Sequence, residues 1–155
     1  HTPTRRQRQM CIRDRFCVER HHQDFNELIR SRVDLLFCNQ EEAFTMMETQ
    51  VTQEALAGLS ENVETVVMTL GNRGSLICNQ GQIYYIDPIE VEVVDTTGAG
   101  DAYAAGFLYG FSHDQSIMNC GRIASVMAGT VIEQIGPRIE TASMKTLKER
   151  LSNIP

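Results

Sequence analysis

The sequence lacks the features by which two broad classes of protein are recognised. None of its apolar runs approaches the roughly 20 residues that a membrane-spanning helix needs, so we expect no membrane partner. Its five cysteines are odd in number and include no C-x-x-C pair, which argues against a zinc site and against a disulfide framework. This use of cysteine is typical of a reducing compartment, and we expect a cytoplasmic protein.

The charge of the first fifteen residues differs from that of the rest. Residues 1–15 hold five of the 14 basic residues and one of the 20 acidic residues. A basic arm of this kind could bind nucleic acid or act as a transit peptide. Its string RQRQMCIRDR also resembles a translated sequencing adapter, which is the interpretation that we favour. We therefore expect residues 1–15 to be a non-native, unstructured leader, and we expect no nucleic-acid partner.

The remaining residues, 16–155, are enough for one domain, and strand patterns alternate with helix patterns along them. The apolar runs 33–38 and 65–69 are typical of strands buried in a parallel sheet. Residues 75–78 and 82–86 predict a β-hairpin, and the alternation over 89–94 predicts another strand. Helices are predicted over 19–30, over 53–59, after the strand at 89–94 and over 143–151. Two more helices are expected to begin at capping residues: Asn39, with Glu42 as its capping-box partner, and Asp114, whose helix ends near Gln134. The predicted fold class is α/β, with a mostly parallel sheet flanked by helices.

The stretch Asp95-Thr96-Thr97-Gly98-Ala99-Gly100-Asp101 carries the clearest functional signal. It places a glycine-rich turn at the start of an apolar, Ala-rich helix, where the first N–H groups have no intrahelical acceptor. Together with the helix dipole, these N–H groups form an anion site. A carboxylate beside an anion is useful if it takes a proton from the attacking group, as in phosphoryl transfer. The alternative interpretation is a turn followed by an N-capping Asp101.

Two nucleotide-binding fingerprints are absent. Gly98 and Gly100 lack the third glycine of the dinucleotide pattern because position 103 is tyrosine, and no G-x-x-x-x-G-K-[ST] occurs. The string DTTGAGDAYAAGF instead resembles the C-terminal signature of the ribokinase-like (PfkB) carbohydrate and nucleoside kinases. Two stretches match further family elements in the same order: Asn39-Gln40-Glu41-Glu42 matches N-x-x-E, and 69–74 matches T-x-G-x-x-G. Residues 107–110 and 120–122 look most like the bacterial adenosine-kinase-like or sugar-kinase branch.

The resemblance implies an ATP-dependent phosphotransferase that moves the γ-phosphoryl group to a hydroxyl of a sugar or nucleoside. Asp101 would be the base, and the N–H groups of Gly98, Ala99 and Gly100 would hold the transferred charge. The implied cofactors are ATP, Mg2+ and a monovalent cation such as K+. The implied nucleotide-binding residues are Asn39, Glu42, Thr69, Gly71, Gly74, Gly100 and Ser125. The implied metal ligands are Glu42 for Mg2+ through water, and Asp95, Thr97, Val131, Gln134 and Gly136 for the monovalent cation.

Family members are considerably longer, and their N-terminal half supplies the acceptor pocket. The resemblance therefore predicts a fragment that holds the ATP end, is inactive alone and belongs to a full-length protein that could form a homodimer. Ser125 stands where relatives often carry Asn or His, which leaves the contacts to the base open. The alternative function is a non-catalytic nucleotide-binding or structural module.

Overall fold

The computed structural model describes residues 9–11 and 20–155. Its five-stranded sheet has the order β1 (Gln9–Cys11), β2 (Leu35–Asn39), β3 (Thr65–Thr69), β4 (Ser75–Asn79) and β5 (Gln82–Ile86). The helices are α1 (His22–Arg32), α2 (Gln40–Met47), α3 (Thr52–Ser60), α4 (Ala99–Ser112), α5 (Ile117–Ile132) and α6 (Met144–Ser152). Short 3-10 helices lie at Gly71–Arg73 and Thr141–Ser143.

The sheet confirms the predicted α/β class. Strands β1, β2 and β3 are parallel, and Leu36 of β2 lies opposite Val66 of β3. Both predicted apolar runs form strands whose first four residues are buried. The two-residue connection between β4 and β5 requires an antiparallel hairpin, and its turn residues Gln80 and Gly81 have φ values of 49° and 82°. Positive φ at both positions is the conformation of the hairpin turn that matches strand twist.

Two sequence-based predictions about strands are wrong. Residues 9–11, within the expected unstructured leader, form β1, in which Met10 lies opposite Leu36. The rest of that leader lies outside the described residues, and its separation from the domain at 16–155 stays a prediction. The second error concerns residues 89–94, which form no strand. There the Val94 N–H donates to the carbonyl oxygen of Ile132, the last residue of α5, at 2.8 Å. It does not donate to a neighbouring strand.

The chain divides into two compact units. The first unit runs to Leu70 and adds 76–83, and the second comprises 71–75 and 84–155. The core of the first unit is built around β2, β3 and the helices α2 and α3, with Leu36, Met46 and Leu56 almost fully buried. Within residues 20–155, none of the helices combines the length and the hydropathy that a membrane crossing requires.

In the second unit, α4 and α5 approach each other closely because glycines face the contact. A Cβ atom on Gly106 would lie 2.8 Å from the Cα of Ala124, and one on Gly110 would lie 3.0 Å from the Cα of Cys120. Real Cβ atoms do not come this near to a backbone, so the contact depends on the absence of side chains. The small residues of α4 therefore let α5 pack close to its backbone.

The last helix, α6, is attached to α5 by an ion pair. Arg150 donates to both carboxylate oxygens of Glu133, at 2.5 and 3.0 Å, and to the Thr130 hydroxyl at 3.2 Å. The hydrogen bonds from Arg150 hold the pKa of Glu133 below its ordinary value. A guanidinium that binds both carboxylate oxygens fixes orientation as well as distance, so the end of α5 has a defined neighbour.

Candidate functional site

The helix after the central motif begins two residues before Asp101. Gly98 is the N-cap residue, with φ 82° and ψ 0°, and no side chain caps the helix. Asp101 is the third residue of α4 and is exposed, so the alternative in which it is the N-cap is wrong. Position 98 requires glycine for two reasons: its φ is positive, and a Cβ there would lie 2.5 Å from the Cβ of Pro137.

At the N-terminus of α4, two backbone N–H groups have no acceptor among the described residues. The Ala99 N–H donates to the Thr96 carbonyl oxygen at 3.2 Å, and the Ala102 N–H donates to that of Gly98 at 2.9 Å. Among the described residues, no acceptor receives the N–H groups of Gly98 and Gly100. A Cβ on Gly100 would meet no heavy atom within 4 Å. Free donors, open space and the positive end of a helix are together suited to an anionic group.

The carboxylate of Asp95 connects the motif to the turn that follows α5. Its Oδ1 accepts from the Thr97 N–H at 2.8 Å, and its Oδ2 accepts from the Gly136 N–H at 2.9 Å. Hydrogen bonding from the Thr97 side chain, followed by the amides of Thr97 and Gly136, holds the pKa of Asp95 below its ordinary value. Asp95 therefore stays ionised near neutral pH and fixes the chain just before the anion site.

The predicted ligands of a monovalent cation fall into two groups. Asp95, Thr97 and Gly136 are brought together by the hydrogen bonds just described. Val131 is buried, and its carbonyl oxygen already accepts from the Glu133 N–H at the end of α5. The Gln134 side chain is engaged with the following loop, where its Oε1 accepts from the Glu140 N–H at 3.1 Å. The donor set of carboxylate and carbonyl oxygens suits a hard cation, but the protein itself already uses several of these oxygens.

The loop that follows β3 contains two glycines with different roles. Gly74, at φ 83°, could not carry a side chain because its Cβ would lie 2.0 Å from the Ile86 carbonyl oxygen. Gly71, at φ 64°, has no heavy atom within 4 Å of such a Cβ. Gly74 is therefore explained by packing, whereas Gly71 borders open space. The Tyr85 hydroxyl donates to the Arg73 carbonyl oxygen at 2.7 Å and holds this loop in place.

Ser125 lies on α5 and is buried. Its hydroxyl donates to the Asp87 carbonyl oxygen at 3.1 Å. Because a serine hydroxyl has one proton, Ser125 could only accept a hydrogen bond from a nucleobase while this contact is made. The contact supports a structural role for Ser125, and its predicted role beside the adenine stays a prediction.

In the first unit, the structure brings Asn39, Glu42 and Thr69 to one edge of the sheet. Asn39 Oδ1 accepts from the Glu42 N–H, and Glu42 Oε2 accepts from the Asn39 N–H, each at 2.8 Å, which is the predicted capping box. Asn39 lies opposite Thr69 at the carboxyl ends of β2 and β3. Ligands of open α/β sheets bind outside such strand ends, and the predicted nucleotide and magnesium roles of these three residues stay predictions.

One polar contact of the second unit escaped the sequence analysis. Tyr103 is buried in the core, and its hydroxyl oxygen lies 2.5 Å from the Ser75 Oγ. A tyrosine in an otherwise apolar helix indicates such a contact, because a buried tyrosine hydroxyl usually has a hydrogen-bond partner. Its partner could not be found from the sequence, since Ser75 is 28 residues away.

Several known kinases are similar to this chain. An "uncharacterized sugar kinase" of Archaeoglobus fulgidus is 33% identical over 112 residues, which cover 72% of this chain and 45% of the relative. Two solved structures superpose with a TM-score of 0.88 over 93% of this chain. They are a probable sugar kinase from Rhizobium etli, at 39% identity and 44% of its length, and an adenosine kinase from Sinorhizobium meliloti, at 38% and 45%.

The chain thus spans less than half the length of these relatives. The profile of the family described as "pfkB family carbohydrate kinase" matches residues 4–143, which include β1 and most of the expected leader. This match covers most of the chain and runs through all three motifs. The chain therefore belongs to the pfkB family of carbohydrate kinases, with a ribokinase-like fold.

Proposed function

We propose that this chain is the ATP-binding part of a kinase that transfers the γ-phosphoryl group of ATP to a hydroxyl of a sugar or nucleoside. The observation that carries the proposal is the N-terminus of α4. There the N–H groups of Gly98 and Gly100 have no acceptor among the described residues, Gly100 borders open space, and Asp101 lies on the same helical turn. An Arabidopsis thaliana ribokinase complexed with ribose and ATP, 29% identical with a TM-score of 0.71, supports the choice of nucleotide.

In the proposed reaction, the acceptor oxygen bonds to the γ-phosphorus while the bond from that phosphorus to the β,γ-bridging oxygen breaks. Asp101 takes the hydroxyl proton as the oxygen attacks. The N–H groups of Gly98 and Gly100 stabilise the negative charge on the transferred group, and that of Ala99 joins them if it leaves Thr96. Because phosphoryl transfer depends mainly on positioning and electrostatics, fixed backbone donors are an effective catalyst.

The proposed cofactor contacts follow the same placement. Gly71 and Gly100 let the nucleotide approach the backbone, and Gly74 holds the loop shape. In the first unit, Glu42 is the residue proposed to hold Mg2+, and it would act through water because Glu42 is 3% exposed and already bonded to Asn39. A K+ ion beside Asp95 and Gly136 is supported by a Vibrio cholerae fructokinase with fructose, ADP and potassium bound, 27% identical with a TM-score of 0.68.

Equilibrium dialysis of the folded chain with ATP and Mg2+ tests the binding part of the proposal. We expect saturable binding, and a chain that melts cooperatively but binds no ATP at millimolar concentration would overturn it. The base is tested by Asp101→Asn in an enzyme that carries this sequence as its C-terminal half. Asn cannot accept the proton, so turnover should fall about 10²-fold or more at unchanged ATP affinity. Normal turnover would leave a nucleotide-binding role but no role for Asp101 as the base.

A further inference from the structure

The hydroxyl groups of Ser75 and Tyr103 form a buried hydrogen bond in the second unit. Their oxygens are 2.5 Å apart, and the two residues are 0% and 6% exposed. In the part of the chain that the structure describes, no buried side-chain nitrogen or oxygen lacks a partner. A phenylalanine would fill the same apolar space, so packing does not account for this hydroxyl. Burying it costs free energy unless a partner is present, and Ser75 is that partner.

This bond joins the two elements to which we assign the phosphate groups. Ser75 directly follows Gly74 at the end of the glycine loop 71–74, and Tyr103 lies two residues after Asp101 on α4. The loop has other anchors, since Tyr85 bonds to Arg73 and Gly74 packs on Ile86, but those link it to β5. The Tyr103 hydroxyl is therefore a direct polar link from the loop to the anion helix.

We propose that Tyr103 is a positioning residue whose bond to Ser75 fixes the glycine loop 71–74 relative to the N-terminus of α4, so that both contact the phosphate chain of one nucleotide. The inference rests on the proposed function. The bond also fixes the rotation of α4, because Tyr103 is buried in the core while Asp101, two residues earlier, is exposed. A displacement of about 1 Å between two contacting elements can cost as much as 10²-fold in function.

The protonation state of the Tyr103 hydroxyl is compatible with a positioning role. Burial raises the pKa of Tyr103 to about 12, although the bond to Ser75 acts in the opposite direction. The hydroxyl therefore keeps its proton at working pH and can either donate to Ser75 or accept from it. The link is neutral and insensitive to pH near neutrality.

Three variants of the whole chain separate positioning from stability: Ser75→Ala, Tyr103→Phe and the double variant. Each single variant leaves one buried hydroxyl without its partner, and its melting temperature should fall by about 3–10 °C. The double variant lacks both hydroxyls, so its melting temperature should return close to that of the wild type. Its dissociation constant for ATP with Mg2+ should nevertheless stay raised by about ten-fold or more, because the loop and the helix are no longer linked.

Ser116→Ala is the matched control for lost stability. It removes the N-cap of α5, whose hydroxyl accepts from the Asn119 N–H at 3.2 Å, and should lower the melting temperature without changing ATP affinity. ATP affinity in the double variant within about two-fold of the wild type or of this control would overturn the inference and leave the proposed function intact. A folded wild-type chain that binds no ATP would overturn both.

Discussion

Gly100→Ala should change stability and nucleotide binding in opposite directions. Gly100 is the second residue of α4, its φ is not in the left-handed region, and an added Cβ meets no heavy atom within 4 Å. Alanine is favoured over glycine within a helix by up to about 1 kcal/mol, and this first-turn position should show part of that. For a chain of this size, we expect the melting temperature to stay constant or rise by up to about 4 °C.

The same methyl group should weaken ATP binding. In a helix, Cα–Cβ bonds tilt toward the N-terminus, so the methyl of Ala at position 100 would project over the N–H groups to which we assign the phosphate. Loss of one hydrogen bond to a charged group costs about 1.5–3 kcal/mol, which corresponds to a dissociation constant raised by roughly 10- to 100-fold.

Equilibrium dialysis with ATP and Mg2+, and thermal denaturation of the same preparation, measure both quantities. An unchanged ATP affinity at an equal or raised melting temperature would refute the placement of a phosphate at Gly100. Gly98→Ala provides the contrast, because its Cβ would clash with Pro137 at a positive φ and should lower the melting temperature outright.

Three further predictions test the loop, β1 and Asp95. Gly71→Ala and Gly81→Ala should each lower the stability of the fold by about 1 kcal/mol, because both glycines have positive φ and open surroundings. Only Gly71→Ala should also weaken ATP binding, and equal ATP affinities of the two variants would remove Gly71 from the proposed site. Deleting residues 1–11 removes β1 and should lower the melting temperature by more than about 4 °C, whereas an unchanged value would contradict a stabilising role for that strand. The pKa of Asp95 in the folded state is lower than its ordinary value of 3.8. The contribution of Asp95 to stability should therefore be complete above pH 3.8 and lost as the pH falls through the lowered pKa. Urea denaturation should therefore show the gap between wild type and Asp95→Asn closing in acid, and a constant gap would argue against this.

The predictions that succeeded rest on residues close together in the chain. The capping box needs only Asn39 and Glu42, three positions apart, and both of its bonds are present. The hairpin turn depends on Gln80 and Gly81, which are adjacent and both have positive φ. The buried strand at Thr65–Thr69 follows from the composition of five consecutive residues. In each case the physical cause lies inside the sequence pattern itself.

The predictions that failed depend on partners that are distant in sequence. Residues 89–94 alternate as a strand does, but the Val94 N–H bonds to Ile132, and no strand lies beside them among the described residues. Composition predicted that residues 9–11 are unstructured, although β2 pairs with them. Asp114, expected to cap the helix α5, has φ 55°, and Ser116 is the N-cap instead. The roles of Asp101 and Gly100 rest on the family resemblance and on the surrounding geometry, and they remain predictions.

The ion pair between Arg150 and Glu133 couples the last helix, α6, to the DTTGAGD motif that leads into α4. Glu133 is the C-cap of α5, and three residues later the Gly136 N–H holds the carboxylate of Asp95. Two noncovalent links and one short turn therefore connect the last helix to the DTTGAGD motif. A deletion or a fusion at the C-terminus that displaces Arg150 would loosen the turn at Gly136, and it would affect the proposed nucleotide site without changing any residue assigned to it.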